Sequence, residues 1–166
     1  MAVREVKMFG DPVLSTAASP VKDFGKSLQR LVDDMLDTMD EAGGVGLAAN
    51  QIGFALRVFV FDCHNLRGHV INPVWHARGE QLQTGIEGCL SVPGVRGPVT
   101  RHNDVVCTGW DALGRPLAIR GSGLLARCIQ HEVDHLDGIM FMRRMESDVR
   151  KEAMAKIRAA DWWKEK

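Results

Sequence analysis

Within the stretch QHEVDHLDG, residues 130–138, two histidines stand four positions apart and a glutamate directly follows the first. On a helix, positions i and i+4 share a face, so His131 and His135 can close on one metal ion with Glu132 beside it. A one-metal catalytic site commonly uses three protein ligands and keeps a further position for water. The chemistry on offer is hydrolysis, because a bound cation brings the pKa of water down to about 7. Two imidazoles are one ligand short, and the third decides the class of hydrolase.

Three sources of that ligand can be weighed. A later histidine, as in HExxHxxGxxH, is excluded: Gly138 stands at the glycine of that pattern, but Phe141 takes the final histidine's place and no histidine follows His135. A later glutamate, as in one class of zinc endopeptidase, would be Glu146, Glu152 or Glu165; Glu152 falls on the polar side of the last helical stretch. A cysteine is the third source. Cys89 lies in EGCLS, between glycine-containing turns, after a strand-like stretch that could carry it to the helix. A thiolate is soft and charged, and it would complete a Cys-His-His set. The residues alone leave glutamate and cysteine both standing.

The elements that must position these groups follow from periodicity. Residues 1–22 read as irregular, with a turn at GDP. Asp23 precedes Phe24, Leu28, Leu31, Val32, Met35, Leu36 and Met39, spaced by threes and fours, which predicts an amphipathic helix capped at Asp23 and ended by Gly43 and Gly44. Strands are expected at 56–62, 69–75 and 80–86, and a hairpin over 104–121 turning at Asp111–Gly114. Ser122 can cap a helix running to about Asp137, with Gly138 beyond its end. Its stripes, Leu124, Cys128, His131 and His135 beside Leu125, Ile129, Glu132 and Leu136, make it apolar on two neighbouring faces, which predicts a central helix with the histidines turned inward. A last helix is expected over 147–163. The pattern predicts an α+β fold, mixed or antiparallel strands around the central HExxH-bearing helix, within one catalytic domain spanning 1–166.

Composition narrows the function classes. Lys+Arg and Asp+Glu both number 21 in 166 residues, so no charge excess argues for nucleic acid or an acidic membrane. The N-terminus, MAVREVKMFGDPVL, lacks the apolar core of a signal peptide, and no apolar run approaches the roughly 18–20 residues of a membrane span; the cytoplasm is the expected location. The four cysteines lie far apart without a CxxC pair, so buried thiols rather than disulfides are expected.

Taken together, GGVGLAANQIG (43–53), EGCLS (87–91) and QHEVDHLDG resemble the three signature segments of the peptide deformylase family, in the family's order and at similar separations. GDPVL and the aliphatic helix ahead of GGVG extend the resemblance over most of the chain. The resemblance implies removal of the formyl group from N-formyl-methionyl ends of new polypeptides, releasing formate. It implies that Cys89, His131 and His135 hold one divalent metal ion, Fe2+ in the cell, with Zn2+, Ni2+ or Co2+ able to replace it in purified protein. Glu132, on the neighbouring stripe, would take a proton from water and return one to the departing amine.

The Gln51 amide and the Leu90 backbone N–H would stabilise the oxyanion, each such donor typically contributing about 10²–10³ in kcat. Gly44 and Gly46 would let the chain approach the substrate, whose main chain would pair like a strand with this segment and the one before Cys89. Val45, Leu124, Cys128 and the stem of Arg127 would form the methionine slot; an arginine there is a departure if an aliphatic residue is the family norm, and could snorkel. Arg96 would meet peptide carbonyls. Glu87 is expected on the substrate side and, with Arg101, as a brace of the ligand loop. A monomer with transient ribosome contact is expected. The alternatives are a zinc endopeptidase with a glutamate ligand and a nascent-chain or metal-storing protein without chemistry.

Overall fold

The first long helix, α1 (Lys26–Ala42), buries Leu28, Leu31, Val32, Met35 and Met39, the residues whose spacing predicts it. It starts later than expected. Gly25, not Asp23, is the N-cap, because Phe24 packs into the core ahead of the first turn. At the other end Gly43 adopts φ 70°, a left-handed conformation that closes the helix with bonds to the Met39 and Asp40 carbonyls. This is a computed structural model, and it describes residues 2–165.

Seven strands follow: β1 (Gly46–Ala48), β2 (Val58–Cys63), β3 (Leu66–Ala77), β4 (Leu82–Glu87), β5 (Gly97–His102), β6 (Asp104–Trp110) and β7 (Pro116–Ser122). Five form an antiparallel sheet in the order β1-β2-β3-β6-β7, and β4 pairs with β5 in a second, two-stranded sheet. The link between β2 and β3 is two residues, His64 and Asn65, both at positive φ, a turn whose twist suits a hairpin.

Two strands were not expected. β1 is three residues inside a glycine-rich segment, too short for a period to register. β5 does alternate, burying Gly97, Val99 and Arg101, but a glycine and an arginine at core positions hide the pattern.

The helix α2 (Gly123–Leu136) is central, as its two apolar stripes predict. All residues 125–136 are buried, and the helix touches strands of both sheets. Leu125, Ala126, Ile129, Val133 and Leu136 pack on Phe59, Phe61, Val70, Val105 and Cys107. Each fully buried aliphatic side chain contributes about 1.5–3 kcal/mol, so this contact fixes where the histidines point. Ser122 occupies the N-cap position without a side-chain cap bond, and Gly138 turns the chain away at φ 77°.

The expected single helix over 147–163 is broken. α3 (Ser147–Ala159) ends at Ala160, which is extended, and one turn, α4 (Asp161–Lys164), follows. The break lets Trp162 and Trp163 pack on a third core cluster around Leu14, Val92, Phe141 and Ile157, which a straight helix would carry them past. No helix among the described residues is long and apolar enough to cross a membrane.

Candidate metal centre and active site

His131 and His135 sit one turn apart on α2 with ring centroids 4.9 Å apart. Cys89, two residues beyond β4, brings its Sγ to 3.3 Å from His135 Nε2. One ligand atom from each of the three residues lies within 4.8 Å of the others, and among the described residues this is the group of histidine, cysteine or acidic side chains able to hold a metal ion. Glu146, Glu152 and Glu165 are exposed and outside it. The other three cysteines are free and buried, as expected.

One carboxylate aims the first of the two rings. Glu87 Oε1 lies 2.9 Å from His131 Nδ1; with that nitrogen donating, the ring's Nε2 lone pair is left for a cation. Arg101 grips both oxygens of Glu87 at 2.8 and 2.9 Å, and Arg127 Nη1 adds a bond of 2.6 Å. Arg101 also reaches Asp134 at 2.6 Å, and Arg144 forks onto the same carboxylate. Burial resists ionisation of Glu87, yet the bonds from Arg101 and His131 outweigh it and hold the carboxyl well below the ordinary range. Behind His135, the Asn50 amide donates to that residue's backbone carbonyl at 2.5 Å. His135 Nδ1 is buried without a protein partner.

Glu132 lives under the opposite conditions. It is 4% exposed, and its Oε1 has no hydrogen-bond partner. Burial pushes its carboxyl up to about 7, against the pull of His131. Gly46 fits against it: a Cβ there would stand 2.5 Å from Glu132 Oε2 and 2.7 Å from Cys128 Sγ. The glycine expected to admit a substrate therefore first admits a protein carboxylate. Gly44 is similar, since a Cβ there would lie 2.9 Å from Leu90 Cδ1.

A cleft of about 580 Å³ opens over Cys89, His131 and Glu132. Gly44, Val45 and Gly46 line one side, and Leu124, Arg127 and Cys128 another. Val45 and Leu124 are 46% and 40% exposed, available to an apolar ligand. Gln51 is buried: its Oε1 accepts from Ala48 N, while its Nε2 donates to Ser91 Oγ at 3.1 Å and lies 3.6 Å from Cys89 Sγ. Leu90 is half-buried at the rim, and exposed Arg96 lies across Gly88.

Two expectations change here. Arg127 does not snorkel. Its guanidinium is buried on Glu87, the Val99 carbonyl and Gln83, because the second sheet offers a buried charge and acceptors where solvent was expected. Glu87 borders the cleft, but both of its oxygens are committed to protein donors rather than free for a ligand. Ser91, Asn50, Ile86 and Pro93 also belong to the site or its walls and were missed. Only Ile86 carried a signal, as an apolar residue on the outer face of an alternating strand.

A soft anion and two imidazoles suit one borderline divalent ion, and the carboxylate bond to His131 fits that use of the ring. With a partnerless acid beside them and a cleft above, fold and site have the character of a one-metal hydrolase built on an α+β scaffold. The chain belongs to the polypeptide deformylase family, whose model matches residues 3–151. It is 57% identical to peptide deformylase 1 of Corynebacterium efficiens, over 98% of this chain and 99% of that protein. The peptide deformylase of Acidothermus cellulolyticus is 52% identical, over 98% and 89%. Among solved structures, the Thermus thermophilus peptide deformylase superposes with a TM-score of 0.89 at 43% identity, covering 95% of this chain and 94% of that one. The Synechococcus elongatus enzyme, in complex with actinonin, gives 0.88 at 38%, covering 96% and 88%.

Proposed function

We propose that this chain is a peptide deformylase, removing the formyl group from N-formyl-methionyl ends of newly made polypeptides and releasing formate. The observation that carries the site assignment is the convergence of Cys89, His131 and His135, their ligand atoms within 4.8 Å, beside a buried acid that lacks a partner. These three would hold one divalent ion, Fe2+ in the cell. When bound, the ion supplies Lewis acidity that lowers the pKa of water and polarises the formyl oxygen.

The chain's own residues do the rest. Glu132, with a carboxyl at about 7, takes a proton from water and gives one to the departing amine, which is a poor leaving group as an anion. The Gln51 amide turns from Ser91 to the developing oxyanion, joined by the Leu90 backbone N–H. Glu87 holds the His131 ring and takes no part in the proton transfers. The segments at 44–46 and before Cys89 pair with the substrate's main chain, Arg96 meets its carbonyls, and Val45, Leu124 and Cys128 receive the methionine side chain. Backbone pairing ignores sequence, which suits an enzyme for many nascent chains. The reading includes a single-domain monomer in the cytoplasm with no nucleic-acid preference and transient ribosome contact.

Cys89→Ala tests it. Loss of both bound metal and formate release from a formyl-methionyl tripeptide is expected, while Glu152→Ala keeps both. A Cys89→Ala protein with full metal content and turnover overturns the ligand assignment. Metal analysis after anaerobic purification, set against turnover, tests iron.

A further inference from the structure

We infer that Trp162 and Trp163 are positioning residues for the substrate cleft. They hold the wall at residues 91–94 in place from behind, an inference that rests on the cleft being the peptide site.

Pro93 and Gly94 line the cleft directly after the ligand loop, and both are exposed. Val92 and Val95 anchor the two ends of this turn in the core, but between them the backbone has few holds of its own. Proline has no N–H to donate, Gly94 stands at φ 79°, and the backbone bond that spans the two, Val95 N to the Val92 carbonyl, is long at 3.4 Å, whereas Val92 N just before them donates to the Cys89 carbonyl at 3.0 Å. The outward Pro93 carbonyl is taken by the Trp162 indole N–H at 3.0 Å. Trp163 packs edge-on against Trp162, with ring centroids 6.2 Å apart, and stacks on Phe9 at 5.7 Å. Phe9 in turn donates its backbone N–H to the Ser91 carbonyl at 2.9 Å.

The wall is therefore gripped at two carbonyls, directly by one indole and through the N-terminal arm by the other. The same arm touches the oxyanion side, because Lys7 N donates to the Gln51 carbonyl and Ser91 Oγ accepts from the Gln51 amide. Both tryptophans lie past residue 151, where the match to the family model ends. The break at Ala160 is what delivers them: with that residue extended, the indoles reach the loop instead of following the axis of α3.

A net hydrogen bond is typically worth about one kcal/mol, so releasing Pro93 should raise KM about three- to ten-fold. Trp162→Phe keeps an aromatic ring and removes the donor with part of the indole's area; Trp163→Ala removes the stack on Phe9. For both, KM for a formyl-methionyl tripeptide should rise by that factor with kcat within two-fold of wild type, and hydrogen exchange at Val92 and Val95, whose N–H groups bond to the Cys89 and Val92 carbonyls, should accelerate. A purely structural tail would lower Tm while leaving KM and that exchange alone. Unchanged KM and unchanged exchange in a wild-type background that deformylates overturns the inference. If wild-type protein fails to deformylate, the functional reading falls instead, and exchange at Val92 and Val95 still decides whether the indoles hold the wall. Trp162→Phe is mild enough to fold should Trp163→Ala fail to.

Discussion

Two buried carboxylates stand beside the Cys89, His131 and His135 cluster under opposite regimes. Glu87 receives four bonds from Arg101, Arg127 and His131 and is held well below its ordinary pKa. Glu132, on the next position after His131, has an oxygen without a partner, Gly46 fitted closely against the other, and a carboxyl at about 7. The first environment makes a fixed anion that orients an imidazole; the second makes a group able to gain and lose a proton near neutrality. Acids with divergent roles are made by what surrounds them. Arginines converge on Glu87 and Asp134, and none of them reaches the Glu132 oxygen that is left without a partner.

Removing the proposed proton carrier should break the comparison hardest. Glu132→Ala is expected to lower kcat by about 10²–10⁴ while metal content stays intact, measured by formate release and metal analysis on the same sample. Normal turnover in that variant would mean the starved carboxylate is an accident of packing. Gly46→Ala probes the same pocket without touching the acid. Its new methyl group would displace the Glu132 carboxylate, and a misplacement of that size typically costs about 100-fold. Single-turnover rates at full metal occupancy would show it, and a wild-type rate would mean the close fit is unimportant.

The braced side should fail differently. Glu87→Gln is expected to weaken metal affinity about 10–100-fold, read by competition with a chelator, because the His131 ring loses its charged orienter. It should also cost about 3–5 kcal/mol in denaturant unfolding, since Arg101 and Arg127 stay buried without their anion. Equal loss of kcat in the Glu87 and Glu132 variants at saturating metal would erase the distinction between them.

Legibility followed the range of the interactions. The histidine pair was readable because helical spacing is local: one turn of α2 places both rings, and the apolar stripes say which way they face. The hairpin of β6 and β7 was readable for the same reason, its alternation flanking a turn at Gly114. Cys89 was different. It meets His135 across 46 positions, and no periodicity encodes that distance; only its resemblance to a known motif favoured it over a glutamate. Glu152 kept its place among the candidates until its exposure removed it.

Sequence by itself thus determined the histidine pair, the central helix, the α+β character and, through three short segments, the family. Tertiary structure alone decided that Arg127 turns inward to Glu87, that Gly46 is small for the sake of Glu132, and that the last helix breaks to send two indoles back to the cleft. Each of these depends on a neighbour contributed by a distant segment. A side chain's charge and shape are written in the chain, but its desolvation and partners exist only once remote segments have packed around it.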